Sequence, residues 1–78
     1  MIKPHKYLDL ESSVLNLSAE IINLLNNFGV ISYDELFNKV MTKIGANARE
    51  NIVNSINFLY LLGKIKYHKD IDSFELDQ

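Results

Sequence analysis

The sequence contains no cysteine, so it can form no disulfide, no thiolate metal site and no thiol nucleophile, and thiol-based redox chemistry is excluded. Its three glycines each follow a helical pattern, which leaves no glycine-rich loop to bind phosphate. The longest uninterrupted apolar run, residues 58–62, is too short for a signal peptide or a membrane-spanning helix. These absences predict a cytoplasmic protein with no membrane partner.

The chain has 78 residues, which is the size of one small domain. A domain of this size buries only about 60–65% of the surface that its unfolded chain exposes. With 47% hydrophobic and 23% charged residues, the sequence is typical of a globular protein and has more apolar side chains than we expect one small core to bury. The only proline, Pro4, favours extended backbone. We therefore predict an extended N-terminal arm over residues 1–12 and one domain over residues 13–78.

Three stretches with apolar residues at helical spacing predict three helices, and a glycine follows each of them. The second and third begin with a serine or asparagine that is followed three residues later by a glutamate, which is the pattern of a capping box. The predicted bounds are Ser12 or Ser13 to Gly29, Ser32 to Gly45, and Asn47 to about Leu62. The stripes expected to face the core are Val14, Leu17, Ile21, Leu24, Leu25 and Phe28 in the first helix, Tyr33, Leu36, Phe37, Val40 and Ile44 in the second, and Ala48, Ile52, Ile56 and Leu59 in the third.

The segments between and after these helices predict a small sheet. Residues 65–68 and 73–76 alternate between apolar and polar side chains on either side of a turn, which indicates a β-hairpin. Val30 and Ile31 are expected to form a very short strand that pairs with this hairpin. The order helix, strand, helix, turn, helix, hairpin is that of a winged helix-turn-helix domain. We predict an α+β fold, mostly α, with three helices and a small β-hairpin wing.

The distribution of charge bears on whether this domain binds DNA, as many winged helices do. Residues 32–69 contain six basic and three acidic residues, but residues 70–78 add four acidic ones at the wing, where they would repel phosphate. The outward face of the third helix has asparagines and Glu50 but no lysine, and we expect its one arginine, Arg49, to lie toward the buried side. These charges favour a third helix whose outer face is neutral and either solvated or in contact with protein. The alternative is that the protein is a small DNA-binding transcriptional regulator. The candidate nucleic-acid contacts are Lys39, Lys43, Lys64, Lys66 and Lys69.

The titratable side chains do not indicate an active site. His5 lies in the predicted arm and His68 on the wing, and no pair of histidines has metal-ligand spacing. No serine has a histidine at a suggestive spacing, and Ser32 is already explained as a helix cap. We expect a protein that is not an enzyme, with no catalytic residue, no metal ligand and no cofactor.

Apolar residues outside the core stripes predict a surface for a protein partner. Leu15 and Ile22 lie beside the stripe of the first helix, where either a partner or the arm and wing of the same chain would cover them. Phe58 and Leu61 make the end of the third helix's outer face apolar. In the arm, the candidates are Tyr7, Leu8 and Leu10, which either add a strand to a partner or pack on their own domain.

Three segments together resemble a known family: "KPHKYLDLESSVLNLS", "GVISYDEL" and "INFLYLLGKIKYHKDIDSFEL". They are similar to the middle components of bacterial ABC-three-component systems, which are small winged-helix proteins encoded between an SMC-like ABC ATPase and an effector, as in Lamassu-type anti-phage defence. The resemblance implies a non-catalytic adaptor that links the ATPase to the effector. It implies that contact with nucleic acid is mainly indirect, through the complex. A homodimer through the first helix or the wing is also compatible with the sequence, since winged helices often pair that way.

Overall fold

The computed structural model describes residues 13–45 and 48–77. Its elements are α1 (Val14–Phe28), β1 (Ile31–Ser32), α2 (Tyr33–Ile44), α3 (Arg49–Leu61), β2 (Ile65–His68) and β3 (Ser73–Leu76). The three strands form one antiparallel sheet in the order β1-β3-β2, with β2 and β3 as the wing. This confirms the predicted α+β winged-helix architecture. The predicted arm over residues 1–12 lies outside the described residues.

Local side chains determine where the first two helices begin. The Ser13 hydroxyl accepts a hydrogen bond from the Asn16 N–H at 3.2 Å, and the Ser32 hydroxyl accepts one from the Glu35 N–H at 3.2 Å. Each bond satisfies a backbone donor that has no partner within its own helix. α1 ends at Gly29, whose φ of +82° suits glycine better than any other residue. The predicted bounds of α1 and α2 are therefore confirmed.

The short strand β1 lies one residue later than predicted, at Ile31 and Ser32 rather than at Val30 and Ile31. Ile31 pairs with Phe74 and is 2% exposed, whereas Val30 is 46% exposed. Burial of one side chain fixes the register here, because a shift by one residue would turn Val30 inward and Ile31 out. Ser32 consequently ends the strand and caps α2.

α3 begins at Arg49, directly after Ala48, and the side chain of Ala48 makes no capping hydrogen bond. The predicted cap at Asn47 lies outside the described residues. Arg49 is exposed, so the prediction that it lies toward the buried side is wrong. Ala48 and Ile52 take the buried positions of this first turn, and a long cationic side chain beside them reaches solvent readily.

The core lies where the three helices meet the inner face of the sheet. Ser55 is the one polar residue in the buried stripe of α3, and its hydroxyl lies 2.7 Å from the Asn51 carbonyl and 3.2 Å from the Val14 carbonyl. It therefore joins the middle of α3 to the start of α1. None of the described helices is long and apolar enough to cross a bilayer. The buried apolar residues are Leu17, Ile21, Leu25, Ile31, Leu36, Val40, Ala48, Ile52, Ile56, Leu59, Ile65 and Phe74.

Candidate protein-docking surface

An apolar groove separates α3 from the wing, and we call it the wing groove. Its volume is about 370 Å³. Val53, Ile56 and Tyr60 reach it from three successive positions on one side of α3. The full lining is Tyr33, Val53, Ile56, Asn57, Tyr60, Tyr67, Asp72 and Phe74. Four of these residues are aromatic and one is charged, so the groove is suited to an apolar side chain rather than to a phosphate.

Packed aromatic rings form the floor of the wing groove. The Phe74 ring centroid lies 5.0 Å from that of Tyr67 and 6.0 Å from that of Tyr33. Tyr33 in turn stacks on Phe37, at 6.4 Å and an interplanar angle of 13°. Because rings at these distances attract one another and resist rotation, α2 and the wing are held at a fixed separation.

Asp72 fixes the rim of the wing groove. Its carboxylate accepts a hydrogen bond from the Tyr67 hydroxyl at 2.5 Å, and its main-chain carbonyl accepts one from the Tyr33 N–H at 2.9 Å. The hydrogen bond to Asp72 raises the pKa of Tyr67, as do a small burial effect and the charge of Asp72. Tyr67 therefore stays neutral at physiological pH, and its hydroxyl remains a donor.

The opposite face of the wing carries a charged cluster of Lys66, His68 and Glu75. The His68 Nε2 lies 2.9 Å from the Glu75 Oε1, and the Lys66 Nζ lies 3.9 Å from the same oxygen. The hydrogen bond from His68 and the charge of Lys66 lower the pKa of Glu75, although partial burial acts in the other direction. Glu75 is therefore ionised at neutral pH and neutralises part of the positive charge on this face.

Three of the predicted nucleic-acid contacts are engaged within the domain. Lys43 forms an ion pair with Glu20 at 3.1 Å, and Lys66 faces Glu75. Lys39 lies over the Phe28 ring, 4.5 Å from its centroid. Lys64 and Lys69 are exposed.

These lysines come from separate parts of the fold. Lys39 and Lys43 lie on α2, whereas Lys64 precedes β2 and Lys69 lies in the turn of the wing. The exposed face of α3 has Asn54 and Asn57. A basic stripe that follows a phosphate backbone is not formed along the described helix.

The predicted partner contacts divide into two kinds. Leu61 is 84% exposed and Leu15 is 72% exposed. Ile22 and Phe58 are half-buried and pack against the core. Tyr7, Leu8 and Leu10 lie outside the described residues.

Sequence reasoning missed the wing groove, although Val53 and Tyr60 both belong to the predicted third helix. The sequence could have indicated part of the groove, because Val53 and Tyr60 are seven residues apart and therefore lie on the same face of one helix. Tyr33 and Tyr67 join that face only through the packing of α2 and the wing. Among residues 13–45 and 48–77, no group of three or more His, Cys, Asp or Glu side chains is placed to hold a metal ion.

Comparison with known proteins gives one family. The family described as ABC-three component (ABC-3C) system Middle Component 8 matches residues 29–77, which include β1, α2, α3 and the whole wing. No curated protein and no solved structure matches the chain. The matched segment is over half of the sequence and contains all the residues of the wing groove. The chain therefore belongs to the family of ABC-three component system Middle Component 8.

Proposed function

We propose that this chain is a non-catalytic winged-helix adaptor that links an SMC-like ABC ATPase to an effector in a bacterial anti-phage defence complex. Its family, a middle component of a three-component system, supports a role between other proteins. The wing groove carries the proposal, because it gives the domain an apolar docking site where a DNA-binding winged helix needs basic groups. Contact with nucleic acid then occurs mainly through the ATPase.

The wing groove favours a partner segment of definite chemistry. Its aromatic floor and apolar walls suit a Leu, Ile or Phe side chain, which would be desolvated between α3 and the wing. Asp72 is the one charged residue of the lining, so it favours a Lys or Arg next to that apolar side chain. The groove is about the size of one or two large side chains, which is typical of the centre of an interface.

An adaptor needs a second surface for its second partner, and α1 offers one. Leu15 and Ile22 are seven residues apart and so lie on the same face of α1. Leu15 is largely exposed, although nothing in its own helix requires a leucine there. We assign the wing groove with Leu61 to one partner, and Leu15 with Ile22 to the other.

The non-catalytic part of the proposal is supported by the lining of the wing groove, in which Asp72 is the one charged residue. Its carboxylate accepts a hydrogen bond from the Tyr67 hydroxyl at the rim. Among the described residues, no histidine, lysine or second carboxylate lines the groove to form an acid–base pair with Asp72.

The experiment is co-expression of the tagged chain with the products of its neighbouring genes, followed by nuclease treatment and affinity elution. We expect an SMC-like ATPase and an effector to co-elute in fixed stoichiometry. Val53→Glu places a charge in the wing groove, and we expect it to reduce capture of one partner at least about tenfold. Asn54→Glu, one residue away on the outer face of α3, adds the same charge and should leave capture unchanged.

The same elution can overturn the proposal. If the chain elutes without either protein, as a species that shifts duplex DNA, the adaptor role is wrong. If both proteins co-elute and Val53→Glu and Asn54→Glu behave alike, the adaptor role stands and the wing groove is not its docking site.

A further inference from the structure

The strand β2 has one side of its backbone facing outward. The sheet order places β2 at an edge, with β3 as its neighbour. The Asp77 N–H donates to the Lys64 carbonyl at 2.9 Å, and Lys66 and His68 lie opposite Glu75 and Ser73. In an antiparallel pair, residues alternate between those whose backbone groups bond the neighbouring strand and those whose groups point away. The N–H and C=O groups of Ile65 and Tyr67 therefore point away from β3, and no strand covers them among the described residues.

The side chains of β2 specify what an added strand should carry. Ile65 and Tyr67 face the core and the wing groove, whereas Lys66 and His68 face the other side of the sheet. A strand laid along this edge would place apolar residues beside the first pair and acidic residues beside the second. Lys66 and His68 also disfavour pairing of β2 with a second β2, because like charges would lie close together.

Residues 8–11 have this alternation. They read Leu8, Asp9, Leu10 and Glu11, with two leucines on one side of an extended strand and two acids on the other. We propose that residues 8–11 of a second copy of this chain pair with β2, so that two copies exchange their arms. Leu8 and Leu10 lie next to Ile65 and Tyr67 in this pairing, and Asp9 and Glu11 face Lys66 and His68.

The place where the arm joins α1 favours pairing of β2 with the arm of a second copy rather than with the arm of the same molecule. The start of α1 is fixed beside the middle of α3, where Val14 meets Ser55. Ser55 lies about 200° around α3 from Val53, and Val53 lines the wing groove together with Tyr67 of β2, so the start of α1 and the strand β2 lie on different sides of a helix about 10–12 Å across. Residue 11 is two residues from Ser13, a reach of at most about 7 Å. A molecule's own arm is therefore too short to lie along its β2, whereas the arm of a second copy has no such limit, and the exchange is reciprocal.

The test uses the purified full chain alone, so its result is independent of the proposed adaptor function. We expect sedimentation equilibrium to give a dimer of the 9.0 kDa chain. Hydrogen exchange at the amides of Ile65 and Tyr67 should slow as concentration rises, because dimerisation pairs those groups. A chain that is monomeric at millimolar concentration, or a dimer without this protection, would overturn the proposal.

Charge exchange supplies the specific control. The double variant Asp9→Lys, Glu11→Lys reverses the charge of the arm, and the double variant Lys66→Glu, His68→Glu reverses the charge of β2. We expect each double variant to raise the dimer dissociation constant at least about tenfold, since attractive pairs become repulsive at both symmetric sites. An equimolar mixture of the two should dimerise again, because both arms then meet a strand of opposite charge. Asp70→Lys, which changes charge in the turn of the wing, should leave dimerisation unchanged. Dimers that survive both reversals, or a mixture that stays monomeric, would contradict arm exchange.

Discussion

The main-chain carbonyl of Asp72 accepts a hydrogen bond from the Tyr33 N–H at 2.9 Å, which attaches the turn of the wing to the first residue of α2. Asp72 has a φ of +47°, in the left-handed region that most side chains disfavour. Aspartate and asparagine tolerate this conformation better than alanine does. The identity of one turn residue therefore affects how firmly the wing is held against the helices.

Two substitutions of Asp72 should separate the effect of its backbone conformation on stability from the effect of its charge. We expect Asp72→Ala to lower the free energy of unfolding by about 1–2 kcal/mol, because alanine has to adopt a positive φ. Asp72→Asn should lower it by less than half as much, since asparagine tolerates the conformation and its amide oxygen can still accept from Tyr67. Urea unfolding of the two variants measures the difference. Equal losses would show that the charge matters and the backbone conformation does not.

The parts of the fold that follow from local sequence were predictable. Ser13 and Ser32 cap their helices through bonds to backbone groups three residues away, so the signal and its consequence lie within one turn. The position of β1 depended instead on Phe74, more than forty residues later, which selects Ile31 over Val30. A boundary that depends on a distant partner is not contained in the local pattern.

The wing groove was hidden from sequence reasoning for the same reason. Tyr33, Tyr60 and Tyr67 belong to α2, α3 and β2, and only the packing of all three elements brings them to one groove. The exposures of Leu15 and Ile22 were also unpredictable in detail. Both lie on one side of α1, but Ile22 packs against the core and Leu15 does not. Periodicity indicates the side of a helix on which a residue lies, and not what the rest of the chain places against it.

Two buried serines should respond oppositely to substitution. The Ser55 hydroxyl is hydrogen-bonded between α3 and α1, whereas the buried Ser18 hydroxyl has no partner among the described residues. We expect Ser55→Ala to lower the free energy of unfolding by about 1 kcal/mol, and Ser18→Ala to leave it unchanged or to raise it, because removal of an unpaired buried hydroxyl removes a desolvation penalty. Thermal and urea unfolding compare the pair. A larger loss for Ser18→Ala than for Ser55→Ala would contradict the assigned hydrogen bonds.

Acidification should weaken the wing through Glu75. Hydrogen bonding to His68 lowers the pKa of Glu75 below its ordinary value of 4.5 in the folded protein. The resulting stabilisation is fully present above that ordinary value and is lost as pH falls through the lower folded-state pKa. We expect the midpoint of urea unfolding to fall more steeply below pH 4.5 in the wild-type chain than in Glu75→Gln. The midpoints of the wild-type chain and Glu75→Gln should therefore converge as the pH falls through the lowered folded-state pKa of Glu75, since its carboxylate becomes protonated there.

Asp70→Asn is the control for the loss of one negative charge. Asp70 is exposed and lies in the turn of the wing, away from the first turn of any helix. The wild-type chain and Asp70→Asn should not show the convergence seen with Glu75→Gln. If all three chains lose stability in parallel on acidification, the His68–Glu75 contact does not stabilise the wing.

Binding of duplex DNA should be weak and insensitive to the lysines. Lys43 and Lys66 face Glu20 and Glu75, and Lys39 lies over Phe28, so a phosphate would have to compete with contacts that already exist. The combined variant Lys39→Glu, Lys43→Glu, Lys64→Glu and Lys66→Glu should therefore have little effect on the affinity of the isolated chain for DNA.

Fluorescence anisotropy with labelled duplex at several salt concentrations measures both the affinity for DNA and its salt dependence. A protein that uses several lysines as phosphate contacts loses affinity in proportion to their number as salt rises. A steep salt dependence that disappears in the combined variant would establish a DNA-binding regulator, with the positive charge of two copies compensating for the neutral face of α3.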